Sequence, residues 1–276
     1  MPCSSRNLHP ELSLEKKKVC LREILSSMKT VLVAFSGGVD SSFLLKSAHD
    51  VLGSRNVLAA IGDSETLARE EFSEARDFLQ QYGIRSVVVK TDELTNEWFR
   101  ANPRNRCFYC KDELFGKLKE VLSAESLAVV IDGTNADDLH DHRPGRKAAQ
   151  AHGVRSPLAE AALGKKEIRR LSREMGLPTW DKPAVACLAS RFPYGERITV
   201  ESLSQVERAE EAVKRLGFRN VRVRAHQSLA RIEVDRENVA ELLATEIVST
   251  LKALGFLYVT VDLEGFRSGS MNVPSD

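Results

Sequence analysis

Val31-Leu32-Val33-Ala34-Phe35 runs directly into Ser36-Gly37-Gly38-Val39-Asp40-Ser41-Ser42. A short apolar run stopped by a glycine pair predicts a strand buried on both faces. The polar turn after it opens a helix over Ser41 to Leu52. A strand, a glycine-rich turn and a helix start together form an anion cradle. Successive backbone N–H groups face the ligand there, and the helix dipole adds positive potential. Gly37 and Gly38 permit backbone angles and a close approach that a Cβ would block. Ser36, Ser41 and Ser42 can donate to phosphate oxygens, and Asp40 can cap the helix or help hold Mg²⁺. Asp and Ser also favour an ordinary N-cap. The complete heptad, Val39 included, is the more specific pattern and points to nucleotide binding. It matches neither the Walker A pattern nor the dinucleotide fingerprint.

Outward from this loop the chain alternates. Leu14 to Met28 reads as a first helix. Strands are predicted at Val57 to Ile61, Ser86 to Lys90 and Leu127 to Ile131. Between them lie a long amphipathic helix, Glu65 to Tyr82, and a helical stretch near Phe115 to Leu122. Continuous Val, Leu, Ile and Ala strands alternating with helices predict an α/β fold, a parallel sheet with helices on both faces. Lys165 to Met175 is a further helix. The Pro-interrupted stretch Trp180 to Gly195 supports no regular element and is taken as a junction between residues 1–185 and 186–276. The second part is expected to be a smaller α+β domain. Its elements are a helix Glu201 to Leu216, strands Asn220 to Ala225 and Ala230 to Val234, a helix Arg236 to Leu254, and a last strand Tyr258 to Leu263.

At 276 residues a soft prior of about two domains applies. The 40 basic and 39 acidic residues nearly cancel. No global field would hold the protein on nucleic acid or an anionic membrane. The apolar runs are strand-sized, and Met1 to Glu15 has neither an apolar core nor a cleavage site, so a cytoplasmic protein is expected. Five cysteines are too few for a disulfide framework.

Arg106-Cys107-Phe108-Tyr109-Cys110-Lys111 places two thiols at C-x-x-C spacing near a helix start. Cys187 supplies a third, within Lys182-Pro183-Ala184-Val185-Ala186-Cys187-Leu188-Ala189-Ser190-Arg191. Three thiolates suit a 4Fe–4S cluster with one iron left open. Structural zinc would want a fourth ligand, which His140, His142 or His152 could supply. A C-x-x-C by itself also describes a redox pair or two buried thiols. Cys3 and Cys20 have no partner spacing and receive no role.

The heptad resembles the PP-loop of ATP pyrophosphatases, the family of the GMP, NAD and asparagine synthetases and the tRNA thiolases. The resemblance implies release of pyrophosphate from ATP, with AMP left on the substrate. It also implies that adenine lies near Ile61-Gly62-Asp63-Ser64. Asp132-Gly133-Thr134-Asn135-Ala136-Asp137-Asp138 follows the fourth strand. Ligands gather at the carboxyl ends of strands in open α/β sheets, so Thr134 and both loops are expected at one crevice, with Asp138 as a second Mg²⁺ ligand. A solvated Asp-rich turn would look the same.

Together the heptad, Trp98, the C-x-x-C pair, the Asp132–Asp138 loop and Cys187-Leu188-Ala189-Ser190-Arg191 resemble the LarE sulfur transferases over about Leu14 to Glu264. These serve nickel-pincer nucleotide assembly for lactate racemase. The resemblance implies adenylation of the carboxylates of pyridinium-3,5-biscarboxylic acid mononucleotide and displacement of AMP by sulfur. In single-cysteine members the thiol matching Cys187 gives up its own sulfur. Three-cysteine members resemble cluster proteins carrying exogenous sulfide, and Cys107, Cys110 and Cys187 place this chain with them. The expected partners are the nucleotide substrate and a sulfide or persulfide donor, and a homo-oligomer is implied. Ser190, Arg191, Arg222 and Arg224 are candidate phosphate contacts, the last two alternating on one side of a strand. A charged strand edge would show the same alternation. Trp98 is either a cation–π platform for the pyridinium ring or core filling. A tRNA thiolase would want a basic surface, and an amide-forming synthetase would leave the thiols without a task.

Overall fold

The computed structural model describes residues 12–140, 144–183, 186–267 and 270–271. In chain order the helices and strands are α1 (Leu14–Met28), β1 (Val31–Ala34), α2 (Val39–Leu52), β2 (Val57–Asp63), α3 (Arg69–Gln81), β3 (Ser86–Lys90), α4 (Glu97–Arg100), α5 (Arg106–Ala124) and β4 (Val129–Asp132). They continue with α6 (Gly145–Ala151), α7 (Pro157–Glu160), α8 (Lys165–Glu174), α9 (Val200–Lys214), β5 (Arg222–His226), β6 (Leu229–Glu233), α10 (Val239–Leu243), α11 (Ile247–Ala253) and β7 (Tyr258–Val261). Two compact units divide the chain. The first takes Met1–Ser64, Arg69–Glu93 and Asn105–Val185, and the second takes Glu65–Ala68, Leu94–Arg104 and Ala186–Asp276.

In the first unit a four-stranded parallel sheet runs in the order β3-β2-β1-β4, with Val31 opposite both Val57 and Val129. Because side chains alternate along a strand, Val31 and Val33 enter one core with α1, α2 and α3, while Leu32 enters the other with α5 and α6. Helices therefore cover both faces, as the continuous apolar strands predicted. The chain leaves β1 toward β2 and later returns to its other side as β4. That change of direction puts a topological switch point between β1 and β4, at the end where the glycine loop lies.

The second unit holds a three-stranded sheet, β5-β6-β7, with β5 antiparallel and β7 parallel to β6. Two elements differ from expectation here. The helix predicted from Glu65 begins only at Arg69, because residues 65–67 form a turn in which the Thr66 carbonyl accepts from Leu188 N at 2.8 Å. The helix predicted over Arg236 to Leu254 is broken between α10 and α11. Thr245 Oγ1 donates to the Leu242 carbonyl at 2.7 Å, the local competition by which threonine interrupts helices.

Candidate active site

Gly37 has φ +70°, and a Cβ there would lie 3.0 Å from Ala75 Cβ on α3, so only glycine lets the loop turn this tightly. Ser41 Oγ donates to the Gly38 carbonyl at 3.1 Å and lies 3.0 Å from Ser36 Oγ. The serines therefore play unequal parts. Ser36 is exposed, Ser41 braces the loop from inside, and Ser42 is fully buried. Ser42 was expected to reach phosphate, yet its hydroxyl points into the fold, because it follows Ser41 around the helix to the core face. Val39 is buried too, and only its backbone is on the loop.

The loop after β4 closes directly on this cradle. A Cβ on Gly133 would stand 2.9 Å from Ser41 N, so glycine is required for the approach. Asn135 Nδ2 donates to Asp40 Oδ2 at 3.1 Å. Asn135 N donates to Asp138 Oδ2 at 3.3 Å, and Asp138 N donates back to Asn135 Oδ1 at 3.1 Å. Lys165 Nζ stands 3.0 Å from Asp138 Oδ1. Burial raises the Asp40 pKa above the usual carboxylate value, and the neighbouring Asp138 adds to this. The Asn135 hydrogen bond, Lys165 and Arg169 act against the rise. Two carboxylates meeting beside an anion cradle suit Mg²⁺, which ordinarily takes one or two carboxylates together with phosphate oxygens. Thr134 is half-buried, its hydroxyl donating to Asp132 Oδ2 at 2.9 Å. Asp63 accepts from Arg69 Nη1 at 2.6 Å, and the Ser64 carbonyl accepts from Arg69 Nη2 at 2.6 Å.

Lys182 was quoted in the sequence motif without a role. Its Nζ donates to the Gly37 carbonyl at 3.3 Å and stands 2.5 Å from Glu71 and 2.6 Å from Glu74. Burial works against its charge, but the two glutamates outweigh that and hold its pKa above the ordinary lysine value. Arg169 on α8 fixes the segment by donating to the Trp180 and Lys182 carbonyls. A lysine directly before a proline was the available signal. Its long-range partners were not visible.

Cys107 and Cys110 both stand as thiols on the first turn of α5, the former exposed and the latter half-buried. Cys110 Sγ donates to Glu93 Oε1 at 3.3 Å, and Thr91 Oγ1 donates to the same oxygen at 3.1 Å. Glu93 is 3% exposed, and burial raises its pKa. Among the described residues no three His, Cys, Asp or Glu side chains are grouped to hold a metal. Of the histidines weighed for zinc, His152 Nε2 pairs with Asp112 at 2.8 Å. His142 and the side chain of His140 lie outside the described residues.

In the second unit Cys187, also a half-buried thiol, begins a short 3-10 turn, Leu188–Arg191. Arg191 is 3% exposed and pairs with Glu210 through two 2.8 Å bonds. Its Nη1 donates to the carbonyls of Ala186 and Cys187 and to Ser190 Oγ. Arg191 thus holds the cysteine turn in shape. Arg224, 5% exposed, donates to Glu233 at 2.7 Å and to the Ser190 carbonyl at 3.2 Å. Arg222 donates to the Val221 carbonyl at 2.7 Å and lies over the Phe266 ring. Arg191 and Arg224, expected at a phosphate, thus each pair with a carboxylate in this structure. Both guanidinium groups satisfy buried carboxylates, because burial leaves no water to do so. Trp98 is 70% exposed on α4, which excludes core filling.

Three known sequences or families resemble this chain. A family model described as NAD synthase matches residues 14–112. An uncharacterised protein of Synechocystis sp. is 48% identical over 94% of this chain and 98% of its own length. The pyridinium-3,5-bisthiocarboxylic acid mononucleotide synthase of Lactiplantibacillus plantarum is 39% identical over 94% of this chain and 95% of its own.

Proposed function

The chain belongs to the pyridinium-3,5-bisthiocarboxylic acid mononucleotide synthase (LarE) family of PP-loop enzymes, and from that membership we propose that it activates a pyridinium carboxylate with ATP and replaces one oxygen by sulfur. The observation that carries the reading is the Asp40–Asn135 bond, which closes the second loop against the glycine cradle at the sheet's switch point.

In the first step a substrate carboxylate oxygen attacks the α-phosphorus of ATP, and the bond to pyrophosphate breaks. The backbone N–H groups of residues 37–39 and the start of α2 stabilise the departing charge. Asp40 and Asp138 would hold Mg²⁺, which supplies charge neutralisation at the phosphates. Lys182 contributes a cation at the Gly37 turn. In the second step a sulfur nucleophile adds to the acyl carbon, and the C–O bond to AMP breaks to leave a thiocarboxylate. A carboxylate is a poor electrophile and AMP a good leaving group, so the order is chemically required. Cys187 is the proposed site of sulfur delivery, with Arg191 shaping its turn and exposed Trp98 offering its face to the pyridinium cation. A 4Fe–4S cluster on Cys107, Cys110 and Cys187 would supply an iron site able to carry sulfide, and neither step as written depends on it.

The test is the product set from ATP with pyridinium-3,5-biscarboxylic acid mononucleotide. Substrate-dependent pyrophosphate and AMP support the reading, and ADP with phosphate contradicts it.

A further inference from the structure

Lys17 lies on α1, outside both loops of the nucleotide site, and is buried. Its Nζ stands 2.8 Å from Glu167 Oε1 and 2.9 Å from Oε2. Glu167 Oε2 also accepts from Gly164 N at 2.9 Å, satisfying an amide at the start of α8. The same turn carries the loop after β4. Ala136 N donates to the Leu163 carbonyl at 2.9 Å, and Lys165 N donates to Asp137 Oδ2 at 2.7 Å. Gly164 is pressed against Asp137, since a Cβ there would stand 3.1 Å from Asp137 Oδ1. A continuous path therefore runs from Lys17 through Glu167, the start of α8 and residues 136–138 to Asn135 and Asp40.

The packing of α1 requires no charge at position 17. Leu21, Ile24, Leu25 and Met28 already seat the helix in the core. An ammonium taken out of water loses solvation that a methionine of similar length would not. What the ion pair adds is direction. One ammonium engages both carboxylate oxygens, so Glu167 meets Gly164 N in a single geometry.

We propose that Lys17 is a positioning residue for the ATP site, holding Glu167 and through it the start of α8, on which residues 136–138 are set against the glycine cradle. This rests on the adenylation reading only for the rate it alters. The order imposed on residues 136–138 belongs to the free protein.

Amide hydrogen exchange of the full chain, without nucleotide or Mg²⁺, reads that order, and pyrophosphate release reads its consequence. Lys17→Met should speed exchange about tenfold at Ala136, Asp138, Gly164 and Lys165 while the amides of β1 and β2 keep their wild-type rates. A merely structural loss would raise exchange through the sheet as well. kcat for pyrophosphate release should fall about tenfold, the cost of a small misplacement, with KM for the pyridinium nucleotide unchanged. Lys17→Arg should restore most of both. Glu167→Gln keeps an acceptor for Gly164 N and loses the ion pair, so it should repeat the Lys17→Met pattern. The double variant should be no worse than either single one, because both act along one path. Wild-type exchange at the four amides of Lys17→Met, or losses that add in the double variant, would overturn the proposal. Absence of pyrophosphate from wild type would contradict the adenylation reading alone, since the exchange pattern does not depend on it.

Discussion

Asn135 Nδ2 donates to Asp40 Oδ2 across 3.1 Å, joining the loop after β4 to the first turn of α2 over 95 residues of chain. The bond holds a half-buried carboxylate that burial and Asp138 push toward its protonated form. Asn135→Ala removes the donor and leaves the carboxylate in place. It is expected to lower stability by about 1–3 kcal/mol and to slow pyrophosphate release by about tenfold or more, the loss of one organising hydrogen bond. Urea unfolding and a coupled pyrophosphate assay read the two effects.

Asp40 also sets a pH dependence. Its folded pKa lies above the unfolded value, which is about 3.9. Below the unfolded pKa both states hold the proton and Asp40 contributes no pH dependence. As pH rises through the unfolded pKa toward the higher folded one, the unfolded chain releases its proton first, and stability falls. Asp40→Asn is therefore expected to melt at a higher temperature than wild type at neutral pH while losing pyrophosphate release. The melting gap should close as pH falls below about 4. A gap that widens toward acid would contradict the burial account.

Lys182→Met removes the cation from the Gly37 carbonyl and leaves Glu71 and Glu74 facing one another. kcat/KM for ATP should fall by about 10²-fold or more, with Lys182→Arg recovering part. Unchanged ATP kinetics would reduce Lys182 to a structural strap.

Much of this fold is legible in the sequence, and the failures have definite causes. Val31–Ala34, Ser86–Lys90 and Leu14–Met28 announce themselves because buried strands and an amphipathic helix carry their pattern locally. The Gly37-Gly38 turn is legible because its backbone geometry demands glycine. Lys182, Glu71, Glu74 and Asn135 were assigned no role, since nothing local distinguishes a lysine that reaches a loop 145 residues away. The carboxylate partners of Arg191 and Arg224 were equally illegible, since Glu210 and Glu233 are remote or unremarkable in sequence.

Arg224 and Glu233 supply the check on whether Arg224 serves the fold or a phosphate. Arg224→Ala leaves the fully buried Glu233 carboxylate to Arg231 and Ser270 and should cost about 1.5–3 kcal/mol. Arg224→Met with Glu233→Met should recover most of the loss. A full-stability Arg224→Ala with weakened substrate binding would restore the phosphate role.

Trp98→Ala should change stability by no more than about 0.5 kcal/mol, since the ring is mostly in water. It should raise KM for the pyridinium nucleotide by about 2- to 30-fold, the range of a cation–π contact. A KM unaffected by the change would remove Trp98 from the substrate site.

Adenylation is tested most directly by following an oxygen atom. Pyridinium-3,5-biscarboxylic acid mononucleotide labelled with ¹⁸O in its carboxylates is turned over with ATP and a sulfur donor, and the phosphorus products are examined by mass spectrometry and ³¹P NMR. Direct attack on the α-phosphorus followed by expulsion of AMP places one label in AMP and none in pyrophosphate. Label in inorganic phosphate alongside ADP, or thiocarboxylate formed with unlabelled AMP, would contradict it.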